Sequence, residues 1–238
     1  MITAEVLDTE EAPSDSGRAA DPEPGPLPTE EETAEPAVPA PVLAARGLGL
    51  YAKSRGWVFQ DLDLVAYPGE VIVLTGAPGS GRTSALLALA GNFRHTHGEV
   101  ERTRTALGLV RGVHEPEPLL TAREHLGERH RLLRPAGLPT RRRRREHSSA
   151  VDVAAKALPF PADQLVRDLT PLERHLLMVR VALTGEPQLL AVDDADLQLT
   201  ASEQRILADA LRATGRAAIV TAREPAALDP DRIVEITR

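Results

Sequence analysis

The sequence predicts an α/β protein: a mixed sheet flanked by helices, with an inserted helical subdomain and a disordered N-terminal tail. Three observations predict it. Short apolar runs alternate with stretches of helical periodicity at both ends of the body, the pattern of a sheet with helices packed on it. The middle carries helical periodicity only. The first forty residues are rich in Pro, Glu and Ala and poor in large apolar side chains, too little to offset the entropy of ordering them.

Charge divides the chain at the same place. The 238 residues carry a net charge of −7. Residues 1–40 hold eleven acids and one base, Arg18, for −10, so the body carries +3. Domain boundaries follow: a tail over 1–41 and one domain over 42–238, long enough to bury a core. There is no cysteine, which rules out disulfides and thiolate metal sites. No apolar run approaches the roughly 18 residues of a membrane span, and the N-terminus lacks a signal pattern. Any membrane association is therefore expected through a partner or the surface.

Element by element, "VFQDLDLV" (58–65) alternates as a half-buried strand does, and "AYPGE" is a turn. "VIVLT" (71–75) reads as a short strand covered on both faces. A glycine-rich loop follows and opens a helix, "SALLALAGNF". Residues 121–134 read as a helix, 135–145 as a break ending in five arginines, and 148–158 and 170–183 as further helices. "PQLLAVDDAD" gives a strand tipped with acids, "ASEQRILADALRAT" a helix, and "RAAIVTA" and "DRIVEI" two closing strands.

The loop carries the chemistry. Gly76, Ala77, Pro78, Gly79, Ser80, Gly81, Arg82 and Thr83, with Ser84 behind them, fit G-x-x-x-x-G-K-[ST] except that Arg82 replaces lysine. Glycines turn backbone N–H groups inward, and with a helix N-terminus they form an anion nest. Strand, loop and helix in that order are the context this phosphate-binding motif requires. Arg82 keeps the positive charge but is planar and bulkier than an ammonium. Thr83 is the expected hydroxyl ligand of Mg²⁺. Asp193 and Asp194 end the buried run "LLAV": Asp193 is the expected Mg²⁺ carboxylate, and Asp194 stands where a general base would poise water.

Together these stretches resemble the nucleotide-binding subunit of ABC transporters, within the P-loop NTPases, over residues 42–238. More narrowly they resemble a divergent, actinobacterial-type group. "LTAREHL" (120–126) resembles the opening of the family's helical subdomain, here about 113–175, and "LTPLERHLLMVRVALTGEPQLLAVDDADLQLT" matches its signature-to-D-loop stretch in length. The resemblance implies ATP and Mg²⁺ as ligands and a membrane permease as partner. It also implies a homodimer, or a heterodimer with another ATP-binding subunit, and a cytoplasmic location peripheral to the membrane. It implies an aromatic stacked on adenine, for which Tyr51 and Trp57 both qualify.

Several departures accompany the match. The family's "LSGGQ" becomes Leu169-Thr170-Pro171-Leu172-Glu173. Pro171 has no N–H to give a phosphate, and the same letters spell a helix start: Thr170 as N-cap, Pro171 at N1, Glu173 closing a capping box. The Q-loop glutamine, expected near Arg111 or Gly112, is absent. Asp194 is one methylene shorter than the family's glutamate, and Arg223 stands at the switch-histidine position. Binding needs the better-kept parts and hydrolysis the altered ones, so weak hydrolysis is expected. Two alternatives are a non-hydrolysing regulatory subunit paired with a competent ATPase and, against the spacing, a nucleotide kinase. The arginine run 141–145 reads as a solvated loop face, and no nucleic-acid partner is expected.

Overall fold

The computed structural model describes residues 39–133 and 141–238. Residues 1–38 of the expected tail, Arg134 at the end of the expected helix, and residues 135–140 of the expected break lie outside them. The strands form two sheets. An antiparallel sheet orders β2 (Gly56–Ala66), β1 (Leu43–Ala52) and β4 (His97–Arg102). A five-stranded parallel sheet orders β5 (Thr105–Leu107), β6 (Leu189–Val192), β7 (Ala217–Thr221), β3 (Val71–Thr75) and β8 (Arg232–Glu235).

The three central parallel strands, β6, β7 and β3, are apolar up to the threonines that end β7 and β3, because both faces are covered. In β3, Ile72 and Leu74 join one core while Val71 and Val73 join another. β6 and β7 divide their side chains in the same way. The first core holds helix α1 (Arg82–Ala90) against the antiparallel sheet. Every residue from Ala85 to Ala90 is buried. The small side chains of Ala85, Ala88 and Ala90 between the leucines let this helix be enclosed on all sides.

The second core packs α4 (Pro171–Leu183) and α5 (Ala201–Arg212) on the opposite face of the parallel sheet. A third joins α2 (Ala122–Leu132), α3 (Arg141–Lys156) and α4. α4 belongs to both: Val179 and Ala182 face the sheet's core, while Leu177 and Val181 face the helical one. It ties the helical part to the sheet.

One expectation is corrected. The arginines at 141–145 open α3 rather than forming a loop face. Arginine is a good helix former. Three strands absent from the sequence reading also emerge, β1, β4 and β5.

Candidate nucleotide-binding site

β3 ends at Thr75, and the chain turns through Gly76, Gly79 and Gly81, whose φ angles are 146°, 79° and 91°. At Gly76 a Cβ would lie 2.7 Å from the Ile236 carbonyl oxygen and from Ser80 Oγ; at Gly81 it would lie 2.4 Å from the Val58 carbonyl oxygen. Glycine is thus imposed by dihedral and by contact. Ser80 Oγ is buried with no partner. The start of α1 carries no side-chain cap and no acid in its first turn. Its leading N–H groups and the positive end of the helix dipole face the loop, a setting that favours an anion.

Arg82 folds back over the loop. Its Nη1 donates to the Gly76 carbonyl at 2.6 Å, and its Nη2 lies 4.0 Å from Asp194 Oδ1. The Arg82 side chain, only 10% exposed, spans the distance between the loop's first residue and the second acid.

Thr83 and Asp193 meet. Thr83 Oγ1 is 3.0 Å from each Asp193 carboxylate oxygen. Thr221, at the end of β7, donates its hydroxyl to Asp193 Oδ1 at 2.6 Å and accepts the Asp194 N–H at 2.7 Å. Burial pushes the Asp193 carboxyl above its ordinary value; the Thr221 hydrogen bond pulls it down and the neighbouring Asp194 charge pushes it up again. Asp194 itself adopts φ 46°, which turns it out of the strand direction.

Arg223 follows β7. Its backbone N–H donates to Asp196 Oδ2 at 2.8 Å, its carbonyl accepts from Thr75 Oγ1 at 3.4 Å, and its side chain is exposed. Tyr51 and Trp57 face each other across the β1–β2 hairpin, edge to face at 5.3 Å. Trp57 also packs on His97 at 4.6 Å, while Tyr51 remains 44% exposed. Val58, next to Trp57, is the residue against Gly81, so the hairpin end adjoins the loop.

Sequence reasoning missed Thr221 and Asp196. A threonine closing the apolar run "AAIVT" was the available signal for the first. Asp196, two residues past the acid pair, gathers the N–H groups of both Arg223 and Glu224. Only the three-dimensional approach of β6 and β7 reveals that.

Residues 59–196, more than half of the chain, match the family described as ABC transporter. The chain belongs to that family. It is an ATP-binding component of the ABC transporter type. The cytochrome c biogenesis ATP-binding export protein CcmA of Cupriavidus necator is 30% identical over 213 residues, spanning 83% of this chain and 91% of the relative. Among solved structures, a nucleotide-free ATP-binding cassette from an ABC transporter superposes with a TM-score of 0.66. It is 16% identical and covers 83% of this chain and 88% of its own. A dimeric cassette in a post-hydrolysis state with ADP and phosphate gives 0.62 at 15% identity, covering 82% of this chain and 94% of its own. The structural matches establish the cassette fold.

Against that family the start of α4 stands out. Thr170 caps it, accepting the Glu173 N–H at 3.2 Å, while Glu173 Oε2 accepts the Thr170 N–H at 2.8 Å. Pro171 occupies the first turn, and Leu172 packs on the sheet's core. The expected capping box is present.

Proposed function

We propose that this ABC-type subunit binds ATP–Mg²⁺ through Gly76–Ser84 and couples binding to a membrane permease while hydrolysing slowly. The observation that carries the reading is the Thr83–Asp193 contact at 3.0 Å. A hydroxyl and a carboxylate are hard oxygen donors, and Mg²⁺ takes one or two carboxylates together with water and phosphate oxygens. Among the described residues no cluster of three His, Cys, Asp or Glu side chains could hold a metal, so an ion here would be shared with the nucleotide. Thr83 and Asp193 would hold it, and it would supply positive charge against the phosphates. The loop N–H groups and Arg82 hold the phosphates, and exposed Tyr51 offers a face to adenine.

Asp194 is proposed to orient the attacking water and Arg223 to approach the terminal phosphate. Arg82 lies within 4.0 Å of Asp194 and competes for its carboxylate. No described helix is long and apolar enough to cross a membrane. The permease, and pairing with a second cassette, would therefore bring the chain to the cytoplasmic face of the membrane. Calorimetric titration with ATP–Mg²⁺ tests the reading. Saturable binding that Thr83→Ala and Asp193→Asn each weaken supports it; unchanged binding in both refutes these ligands.

A second reading has its own observation. The capping box at Thr170 and Glu173 consumes the donors that a phosphate clasp at α4 would use, which favours a non-hydrolysing subunit paired with a competent ATPase. Turnover measured alone and with a co-purified second cassette separates the two.

A further inference from the structure

We propose that the cleft between the start of α4 and the loop after β6 is a binding site for a small organic carboxylate. Its volume is about 500 Å³, within the range of small-molecule pockets. None of Gly76–Ser84 lines it, so it is separate from the nucleotide loop and does not depend on the reading of that loop.

Two buried nitrogens in its lining lack partners. His175 is 3% exposed and its Nδ1 makes no hydrogen bond; the Nε of its neighbour Arg174 is also buried and unpaired. Burying such groups unmet costs on the order of 1–3 kcal/mol each. Both residues line the same cavity, and a ligand that repacks its wall would offer these nitrogens an acceptor.

The charge in the lining fixes the ligand's sign and size of charge. Arg167 is balanced by Asp168 at 3.8 Å. Arg111 donates to Gln198 Oε1 at 3.1 Å and Arg174 to the Arg167 carbonyl at 3.2 Å, and neither is paired with a carboxylate among the described residues. Glu115 opposes them, already accepting the Gly112 N–H at 3.0 Å. One positive charge is left over. A single carboxylate balances it, whereas a polyphosphate would overload it. Burial, with the Arg111 charge second, lowers the His175 pKa to about 4, so at neutral pH it contributes a hydrogen bond rather than charge.

The rest of the lining selects an organic body. Leu109, Val166 and Leu197 contribute apolar surface, which inorganic phosphate or sulfate would not use. Gln198, held by Arg111, adopts φ 65°, an uncommon conformation for a residue with a side chain. The ligand would thus bridge α4 to the loop that follows Asp193 and Asp194.

The test uses the full chain without nucleotide and reads the ring ¹⁵N resonances of histidine, with His175 assigned by its loss in His175→Gln. Benzoate and butyrate are titrated against the neutral benzamide and butyramide. The carboxylates should shift the His175 Nδ1 resonance saturably and the amides should not. Arg174→Met should weaken carboxylate binding about tenfold or more, and Arg167→Met should change it far less. If Arg174→Met fails to fold, Arg111→Gln serves in its place. Absence of a saturable shift, an equal response to the amides, or unchanged affinity in Arg174→Met overturns the proposal. So does binding of an acidic peptide where the free carboxylates fail, which would make the cleft a protein-docking surface.

Discussion

Two helix starts in this molecule are built to opposite ends. The start of α1 is left open: a glycine in left-handed conformation precedes it, no side chain caps it, and no acid lies in its first turn. The start of α4 is closed by threonine, proline and a glutamate that returns to the cap. α2 and α5 are closed in the same manner, by Thr121 with Glu124 and Thr200 with Glu203. An uncapped N-terminus gives up about 1 kcal/mol. It is tolerable where an anion supplies what the side chain does not. The contrast sets the helix start proposed to hold an anion against one closed by its own side chains.

The comparison breaks most sharply at Gly81. Gly81→Ala places a methyl group 2.4 Å from the Val58 carbonyl oxygen at a φ of 91°. The loop must shift, and losing two charge-assisted N–H contacts of about 1.5 kcal/mol each should lower ATP affinity about 10²-fold. Titration calorimetry checks it. At α4 the largest expected effect is on stability and pH. The folded His175 pKa, about 4 against an ordinary 6.5, means that the native state binds fewer protons than the unfolded one between these values. Stability is therefore fully present above pH 6.5 and declines as pH falls toward 4, by on the order of 3 kcal/mol. Chemical denaturation of wild type and His175→Gln across that window should show the difference in slope.

Arg82→Ala removes the guanidinium that spans Gly76 and Asp194 and should weaken ATP binding about tenfold, a typical loss for a charge-assisted contact. Unchanged affinity would take Arg82 out of the phosphate site. The smallest effect is that of Thr170→Ala. It should cost about 1 kcal/mol and about 2–4 °C in Tm for a domain of this size, with no change in ATP affinity. If ATP binding fell with it, α4 would still be taking part in nucleotide contact.

Much of this was legible because it is local. The loop, the acid-tipped β6 and the α4 cap each lie in one short segment, where spacing alone specifies conformation. β3 was legible because a strand covered on both faces is apolar at every position. β1, "LAARGLGLYA", was hidden by its glycines and by the register irregularities they accommodate. β4, "HGEVER", is an exposed edge strand with no alternating pattern, and β5 has only three residues. The helical start at Arg141 was hidden because a run of like charges reads as a solvated loop. Thr221, Asp196 and the cleft around His175 depend on segments brought together by the sheet, which no local pattern encodes. The sequence placed Tyr51 and Trp57 as equals; the hairpin leaves Tyr51 exposed and tucks Trp57 against His97.

The central claim is that nucleotide is held at α1 while the α4 start no longer serves hydrolysis. The most direct measurement follows ATP binding and ATP turnover in one preparation of the purified chain with Mg²⁺. The account predicts saturable binding, weakened by Thr83→Ala, with turnover below about 1 s⁻¹, the low end for enzymes. Steady turnover above that rate, abolished by Asp194→Asn, would contradict it.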